Sequence, residues 1–274
     1  MTEAHLPLVI SAQNLADTLN NPELLVVDLQ GGDHYQQAHI PGAVNFDYNH
    51  LVQTVGKAGG MLPEKDSFAR VLQAHGVHAG THVVAYDAEG GASAARLIWN
   101  LHAFGHTRTS WLNGGLHAWA QSGNSLERGN VAPSPSNNPI ELNVDLDRVI
   151  DCDTIQKALG TDDFRILDAR SLEEYNGTKL FSSRGGHIPG AIHFEWTNAL
   201  DANNAYQFKP DDELRDMLLQ AGIGERDNIA VHCQTHRRSS LSYVMLRHLG
   251  FENVRGYAGS WSEWGNRFDT PVEN

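Results

Sequence analysis

The sequence predicts an α/β fold of two tandem domains, each with a mainly parallel central sheet flanked by helices. Its 274 residues exceed one ordinary domain, so two domains are expected. Short β-type runs, such as residues 83–86 and 229–232, alternate with helix-period segments, such as residues 66–75 and 212–220. Patterns of the first half also recur in the second half, which indicates two copies of one α/β unit.

Three patterns recur in the two halves in the same order. They are the apolar run 24–29 repeated at 164–169, Tyr35 repeated at Tyr175, and His-Ile-Pro-Gly-Ala at 39–43 repeated at 187–191. Between the repeated tyrosine and the His-Ile-Pro-Gly-Ala motif, the second copy is longer because of an insertion near residues 176–184. A period this long predicts tandem domains rather than a solenoid, whose repeats run about 20–50 residues. We predict domains at residues 1–124 and 148–274, joined by an extended linker of prolines and small polar residues at 125–147.

Each copy also carries the pattern of a helix followed by a strand, a loop and a second helix. Three apolar residues are spaced for one helix face in each copy, Phe68, Val71 and Leu72 in the first and Leu214, Met217 and Leu218 in the second. In the second copy the apolar run 229–231 indicates a strand, and an apolar-periodic segment ending at Gly250 indicates a helix. The polar residues 232–239 between them predict a tight loop. Sites in open α/β sheets lie beyond the carboxyl ends of strands, where this loop is placed.

Cys233 lies at the mouth of this loop and is the candidate nucleophile. Inward-pointing N–H groups of the loop and the start of the following helix favour negative charge, so they lower the pKa of a thiol. The alternative is a buried free cysteine that acts as a small hydrophobic residue. Five polar or basic residues follow Cys233, which favours the reactive interpretation. These five residues are the predicted substrate-binding set, Gln234, Thr235, His236, Arg237 and Arg238.

The matching loop of the first copy has a different chemistry. Aligning residues 76–77 with residues 222–223 sets Asp87 opposite Cys233. The loop 87–93 then has a carboxylate in place of the thiol and no basic side chain. We therefore predict one catalytic copy and one inert copy.

The overall charge narrows the class of partner. A net charge of −13 and a pI near 5.5 argue against nucleic acid or an anionic membrane. The basic cluster at 236–238 is local and suits the capture of a small anion. The start of the chain has no apolar core typical of a signal peptide, and no run approaches membrane-spanning length, so a cytoplasmic location is expected.

No metal or organic cofactor is expected. A zinc site formed by His232, Cys233 and His236 would lack a fourth ligand at a recognisable spacing. The second cysteine, Cys152, lies between two aspartates that disfavour its thiolate, so we expect it to be unreactive. With only these two cysteines a disulfide framework is excluded.

Four other polar residues are assigned structural roles. His39 and His187 repeat in both copies, including the copy without a thiol, which favours structure over catalysis. His232 is expected to hydrogen-bond to nearby backbone at the end of its strand. Ser239 is predicted to be the N-cap of the helix after the loop.

Residues 35–43 and 254–264 resemble the two signature motifs of the rhodanese family of sulfurtransferases, in particular its tandem-domain members. The resemblance covers nearly the whole chain. It implies two rhodanese-like domains, an inactive first copy, and a loop cysteine, here Cys233, that carries sulfur as a persulfide. Sulfur would pass from thiosulfate or a similar anionic donor to cyanide or a thiol acceptor.

The active loop helps to distinguish subgroups within this family. Cys-Gln-Thr-His-Arg-Arg at 233–238 is similar to a bacterial tandem subgroup, and it differs from the loops of the better-known thiosulfate and mercaptopyruvate enzymes. Those two groups tend to place a substrate-binding arginine just before the position of Tyr175, where this chain has Glu174. Arg170 is one helical turn away and could replace that arginine, or it could pair with a neighbouring glutamate on the surface. An exposed Glu174 would repel the carboxylate of mercaptopyruvate, so we expect thiosulfate to be preferred.

Three alternative functions are weighed against this prediction. Cysteine phosphatases share the His-Cys and Arg-Ser pattern, but their loops are one residue longer, and no aspartic general acid is evident here. A 3-mercaptopyruvate sulfurtransferase would use the same cysteine. So would a relay module that hands a persulfide to a protein partner without turnover, and the sequence does not separate this relay from an enzyme that transfers sulfur between small molecules.

Overall fold

The computed structural model describes residues 6–274, which form two compact units. Unit 1 takes in the chain up to Leu51 together with Pro63–Val144 and Asp201–Gln207. Unit 2 contains Val52–Leu62, Asp145–Leu200 and Phe208–Asn274. Each unit is therefore built mainly from one half of the sequence and includes one short segment from the other half.

Short strands and helices alternate along the described chain. The strands are β1 Val9–Ile10, β2 Leu24–Asp28, β3 Val44–Asn45, β4 Gln53–Val55, β5 Ala58–Met61, β6 His82–Tyr86, β7 Thr109–Leu112, β8 Phe164–Asp168, β9 Ile192–His193, β10 Leu200–Asp201, β11 Gln207–Phe208, β12 Asn228–His232 and β13 Val254–Gly256. The α-helices are α1 Ala12–Thr18, α2 Gly32–Gln37, α3 Lys65–Ala74, α4 Ala92–Ala103, α5 Gly115–Gln121, α6 Cys152–Ala158, α7 Leu172–Tyr175, α8 Asp211–Gln220, α9 Arg238–His248 and α10 Ser260–Trp264. Two short 3₁₀ helices span Tyr48–Leu51 and Trp196–Ala199.

Each unit has a central sheet of parallel strands. The strand order is β1-β7-β6-β2-β3 in unit 1 and β13-β12-β8-β9 in unit 2. In unit 2 a single parallel bridge from Val149 to Gly256 takes the place that β1 has beside β7 in unit 1. All of β6 and most of β12 are buried, as expected for parallel strands covered on both faces. The predicted α/β class with two mainly parallel sheets is confirmed.

The two central strands each lead into a buried helix. In unit 1, β6 leads to α4, which packs on β6 and β7 and is buried along its whole length. In unit 2, β12 leads to α9, which packs on β12 and β13. A loop between a parallel strand and its crossover helix lies at the carboxyl edge of the sheet, so the fold places both candidate loops where sites are usually found.

A β-hairpin from the first half of the sequence belongs to unit 2. Strands β4 and β5 pair antiparallel, with Gln53 opposite Met61, and β5 packs against α10. The backbone N–H of Gly59 donates a hydrogen bond to Ser262 Oγ at 3.2 Å. This segment has no equivalent among the repeated patterns of the sequence.

Between α5 and α6 the chain is described throughout and contains neither a helix nor a strand. Hydrogen bonds attach it to unit 1, from Val131 N–H to Tyr35 Oη at 3.1 Å and from Ser136 N–H to the Gln73 carbonyl at 2.9 Å. Because proline and small polar residues provide little to bury, the segment crosses the surface as an extended strap.

Candidate active site

Cys233 directly follows β12 and lies five residues before the start of α9. Its side chain is buried, with only 1% of the residue exposed. The backbone N–H of Trp261 donates to the Cys233 carbonyl at 3.0 Å, and that of Ser262 donates to the Gln234 carbonyl at 2.9 Å. The first turn of α10 therefore fixes the backbone at the start of the loop.

The environment of the Cys233 sulfur favours its ionised form. Burial by itself would raise the pKa of the thiol, but it is outweighed by several stabilising contacts together, of which the charge of the nearby Arg238 guanidinium is the largest. Hydrogen bonds from the Ser239 hydroxyl and from the N–H groups of Ser239 and Thr235 act in the same direction. The pKa of Cys233 is therefore lower than that of an ordinary thiol, which is the condition for a reactive cysteine.

Arg238 is held in place by Glu174 of α7. The two side chains form a bidentate ion pair, with Nη1–Oε2 at 2.6 Å and Nη2–Oε1 at 2.8 Å. The Glu174 side chain is 3% exposed, and burial opposes its ionisation. The hydrogen bond and charge of Arg238, together with the Ser171 N–H and the charge of Arg170, outweigh burial and lower the pKa of the carboxyl. The expectation of an exposed Glu174 charge that repels donors is wrong, because that charge is buried and compensated by Arg238.

Arg170 is not available to replace a substrate-binding arginine. It is 1% exposed, and its Nε donates to the two carboxylate oxygens of Asp168 at 2.9 and 3.0 Å. Its guanidinium also lies 4.4 Å from the centre of the Trp261 ring and donates to the Gly186 carbonyl. Neither sequence-based alternative for Arg170 is correct, since it lies inside unit 2 and pairs with Asp168.

His236 and Ser239 support the loop from inside. His236 is completely buried and has a positive φ of 58°, and its Nδ1 lies 2.7 Å from Ser239 Oγ. This position suits support of the loop rather than contact with a donor. The prediction of Ser239 as the N-cap is wrong, because Arg237 occupies the N-cap and Ser239 lies inside α9. The Ser239 hydroxyl instead faces His236 and the Cys233 sulfur.

The other loop residues are partly exposed. Gln234 Nε2 donates to the Phe181 carbonyl at 3.3 Å and to Ser182 Oγ at 3.1 Å, so it is bound to the insertion of the second copy. Thr235 and Arg237 are both half-buried, and Arg237 stands at the amino end of α9. Of the predicted substrate-binding set, these three residues and Arg238 are the ones that solvent can reach.

In unit 1 the corresponding loop is filled by its own carboxylate. Asp87 Oδ1 accepts the N–H groups of Glu89 and Gly91 at 2.8 Å, and Oδ2 accepts those of Ser93 and Ala94 at 3.0 and 3.1 Å. Asp87 is 3% exposed. The inward-pointing N–H groups are thus present in both copies, but in unit 1 a built-in anion already occupies them. The N–H groups that Asp87 accepts are therefore already paired within their own loop.

Cys152 lies in an environment opposite to that of Cys233. It is the first residue of α6, is 2% exposed, and burial raises the pKa of its thiol. The flanking aspartates, which suggested this from sequence, have other partners, since Asp151 caps α6 and Asp153 pairs with Arg267. The prediction of a raised pKa is correct, but its main cause is burial.

The repeated histidines have the same structural role in both units. His39 Nδ1 lies 2.9 Å from the Tyr35 carbonyl, and its ring stacks on that tyrosine at 4.1 Å. His187 repeats the arrangement with Tyr175, at 3.1 and 3.7 Å. His232 likewise contacts the Cys233 carbonyl at 3.2 Å, as expected for a buried strand end. None of these histidines is exposed at the mouth of the Cys233 loop.

Sequence reasoning missed two features of this site. The first is the Glu174–Arg238 pair, whose partners are 64 positions apart in sequence. The second is the hairpin β4–β5, which lies against the loop although it comes from the first half of the chain. The pattern Ala-Gly-Gly-Met at 58–61 was a possible signal, because glycines within a strand often mark a close approach of another backbone.

These features define a tandem α/β protein with one thiol-bearing anion loop and one loop closed by a carboxylate. A family model described as Rhodanese-like domain matches residues 11–122 and again residues 151–267. The chain belongs to this family and contains two copies of its domain.

Relatives of similar length share the family. Proteins named thiosulfate sulfurtransferase from Azotobacter vinelandii and Pseudomonas aeruginosa are 41% and 40% identical, and each alignment covers at least 97% of both chains. The Escherichia coli K12 protein named 3-mercaptopyruvate sulfurtransferase is 30% identical over 96% of this chain and 97% of its own. A crystal structure of an anaerobic ergothioneine biosynthesis enzyme from Chlorobium limicola has a TM-score of 0.88 at 23% identity, covering 97% of this chain and 70% of that one. This last likeness concerns the fold alone.

Over residues 6–274, no helix combines the length and apolar character needed to cross a membrane.

Proposed function

We propose that this protein is a thiosulfate sulfurtransferase that carries sulfur as a persulfide on Cys233. The observation behind the proposal is a buried thiol with a lowered pKa, surrounded by N–H donors and the Arg238 guanidinium. Full-length relatives at 40–41% identity are named thiosulfate sulfurtransferase, which supports this donor. Since the loop donors and Arg238 stabilise one anion, they also suit a persulfide, which is an anion of similar shape with one more sulfur.

The proposed reaction is a double displacement. The Cys233 thiolate attacks the sulfane sulfur of thiosulfate, the sulfur–sulfur bond of the donor breaks, and sulfite leaves with the bonding electron pair. The enzyme then holds a persulfide anion. Cyanide attacks the outer sulfur, thiocyanate leaves, and the thiolate is restored. Charge and atoms balance in both steps, and no cofactor takes part.

The loop residues have distinct proposed roles. Thr235 and Ser239 donate backbone N–H groups to the sulfur, and Arg238 supplies the positive charge beside it. Arg237 stands at the amino end of α9, where its charge adds to the helix dipole and attracts an anionic donor. Gln234 fixes the loop against the insertion of the second copy.

Replacing the two cysteines separately tests the nucleophile. We expect Cys233→Ala to abolish thiocyanate formation and Cys152→Ala to retain activity near that of the wild type, because only Cys233 lies among anion-stabilising donors. Mass measurement after incubation with thiosulfate should show one added sulfur atom on wild type and on Cys152→Ala, and cyanide should remove it. Retained activity in Cys233→Ala would exclude this mechanism. Loading without turnover would instead indicate a relay that passes sulfur to a protein thiol.

A 3-mercaptopyruvate sulfurtransferase is the second candidate, since the relative of that name is 30% identical over nearly the whole chain. Arg170 is occupied by an internal ion pair with Asp168, and position 174 has a glutamate where an arginine would bind the carboxylate of mercaptopyruvate, so neither position offers a free cation for it. We expect kcat/KM to be higher for thiosulfate when both donors are assayed with cyanide. A preference for mercaptopyruvate would overturn the donor and leave the persulfide chemistry intact. The cytoplasmic location of the protein remains a prediction.

A further inference from the structure

The Cys233 loop is bounded on one side by a strand that contributes no side chain at the point of contact. Gly60 of β5 lies against the backbone of Thr235. A Cβ atom at Gly60 would be 2.6 Å from the Thr235 carbonyl carbon and 2.8 Å from its Cα, and closer still to its carbonyl oxygen. Real Cβ atoms do not approach a backbone this closely, so any side chain at this position must displace the strand or the loop.

The strand is also fastened to the helix that holds the loop. Gly59 N–H donates to Ser262 Oγ at 3.2 Å, and Ser262 N–H donates to the Gln234 carbonyl at 2.9 Å. Strand β5 and helix α10 pack together along this contact. The segment Gln234–Thr235 is thus held between α10, through hydrogen bonds, and β5, through direct backbone contact.

We propose that Gly60 is a positioning residue for sulfur transfer: by lacking a side chain it lets β5 rest on Thr235 and hold that residue's N–H toward the Cys233 sulfur. This inference deepens the proposed function and rests on Cys233 being its nucleophile. Gly60 has no side chain with which to act on the sulfur or on a substrate. It acts through Thr235, whose backbone N–H is one of the donors to the Cys233 sulfur.

The neighbouring glycine provides a matched control. A Cβ atom at Gly59 would meet only the Thr235 methyl carbon and Thr54 Oγ1, both at 4.0 Å, which is ordinary van der Waals contact. Neither glycine has a positive φ, so alanine strains the backbone at neither position. Gly59→Ala and Gly60→Ala are therefore the same chemical change at adjacent residues, and only the second forces Thr235 to move.

Electrostatic effects are held constant in this comparison. The titratable groups around Cys233 come from other elements, namely His232 of β12, His236 of the loop, Arg238 of α9 and Glu174 of α7 behind it. Strand β5 carries no titratable side chain. A change in the Cys233 thiol between the two variants would therefore report the position of the loop backbone.

The test is the pH profile of Cys233 alkylation in the full-length protein carrying Cys152→Ala, with Gly59→Ala or Gly60→Ala added. We expect Gly60→Ala to raise the pKa of the Cys233 thiol by about one unit. At a pH below the thiol pKa of both the parent and the variant, the thiolate fraction of the variant is then roughly tenfold smaller. Persulfide loading by thiosulfate should fall by a similar factor. Gly59→Ala should remain within about twofold of the parent in both measurements. A purely structural role would lower thermal stability without moving the alkylation profile.

Equal alkylation profiles for the two variants would overturn the inference. If Gly60→Ala does not fold, Ser262→Ala takes its place, because it removes the acceptor for Gly59 N–H without adding volume. A raised thiol pKa in Ser262→Ala would then support the inference, and an unchanged profile would overturn it. Failure of the proposed function looks different: thiosulfate would load no sulfur on the parent protein, while alkylation would still separate Gly59→Ala from Gly60→Ala.

Discussion

At the scale of single residues, the two cysteines show how position decides reactivity. Both are almost fully buried, so burial raises the pKa of each thiol. Only Cys233 has a guanidinium and converging N–H groups that outweigh burial. The thiol pKa is therefore raised at position 152 and lowered at position 233, and the difference comes from the surrounding donors.

The first prediction concerns the pH dependence of the two thiols. Since the pKa of Cys233 is lowered, its thiolate is populated at pH values below those at which an ordinary cysteine ionises. Sulfur loading should decline only as the pH falls through this lowered pKa. Cys152 has a raised pKa, so its alkylation should begin only at higher pH. Alkylation with iodoacetamide, followed by peptide mass spectrometry, measures both midpoints, and a Cys233 midpoint at or above that of Cys152 would contradict the prediction.

The second prediction separates the two roles of Arg238. Arg238→Gln should raise the pKa of Cys233 and leave Glu174 buried without its partner, at a cost of about 3 kcal/mol in the free energy of unfolding, since Glu174 is buried but Arg238 is partly exposed. The double variant Arg238→Gln with Glu174→Gln should recover most of that stability, because no unpaired charge remains buried. Its thiol pKa should stay raised. Urea unfolding and alkylation measure the two effects separately.

The measurements on the double variant decide between these roles of Arg238. If it regains both the stability and the wild-type alkylation profile, then Arg238 does not stabilise the thiolate. If Glu174→Gln alone shifts the profile as far as Arg238→Gln does, the role of Glu174 is to orient the guanidinium.

At the scale of secondary-structure elements, both units use the same strand–loop–helix arrangement. In unit 2 the loop after β12 surrounds a thiol, and in unit 1 the loop after β6 surrounds the carboxylate of Asp87. Converging N–H groups at a helix start require an anion or another acceptor. In the loop of unit 1 the acceptor is the Asp87 carboxylate. In the loop of unit 2 the acceptor is the Cys233 sulfur.

The third prediction follows from this arrangement. Asp87→Ala should destabilise the protein by about 2–4 kcal/mol, because four N–H groups at the start of α4 lose their acceptor inside the unit. Glu89→Ala removes the same charge from an exposed position in the same loop and is the matched control, expected to change stability by less than about 0.5 kcal/mol. Chemical denaturation measures both. Similar stabilities for the two variants would show that the Asp87 hydrogen bonds contribute little.

At the scale of the whole molecule, the units do not coincide with the two halves of the sequence. Residues 52–62 belong to unit 2, and residues 201–207 belong to unit 1. The second sequence copy by itself therefore lacks the hairpin that lies against Thr235 and α10. The surroundings of the Cys233 loop therefore include residues from both halves of the chain.

The fourth prediction tests this dependence. A fragment of residues 148–274 should load sulfur from thiosulfate at least roughly tenfold more slowly than the full chain, because displaced groups lose their reactive alignment. A synthetic peptide of residues 52–62, supplied at millimolar concentration, should restore part of the loading rate. A scrambled peptide of the same composition is the control. A fragment as reactive as the full chain would show that the hairpin is dispensable.

Local patterns were sufficient to predict the fold class and the position of the thiol. Alternating strand and helix periods gave the parallel sheets, and the polar run after residues 229–231 placed Cys233 at a loop before a helix. Such features depend on neighbours within a few positions along the chain, so the spacing of apolar residues in the sequence is sufficient to predict them. The role of Ser239 was missed because the exact first residue of a helix depends on local geometry as well as on residue type.

Residue patterns alone were enough to predict the duplicated α/β architecture, the asymmetry between the loops at Asp87 and Cys233, and membership of the rhodanese family. Three features became visible only in the folded molecule: Glu174 binds Arg238, His236 is buried, and the hairpin of residues 52–62 lies against the loop. These contacts join residues far apart in the chain, and their energies depend on burial and pairing. Sequence patterns report which residues prefer the interior, but the partner that a buried charge finds is settled by packing.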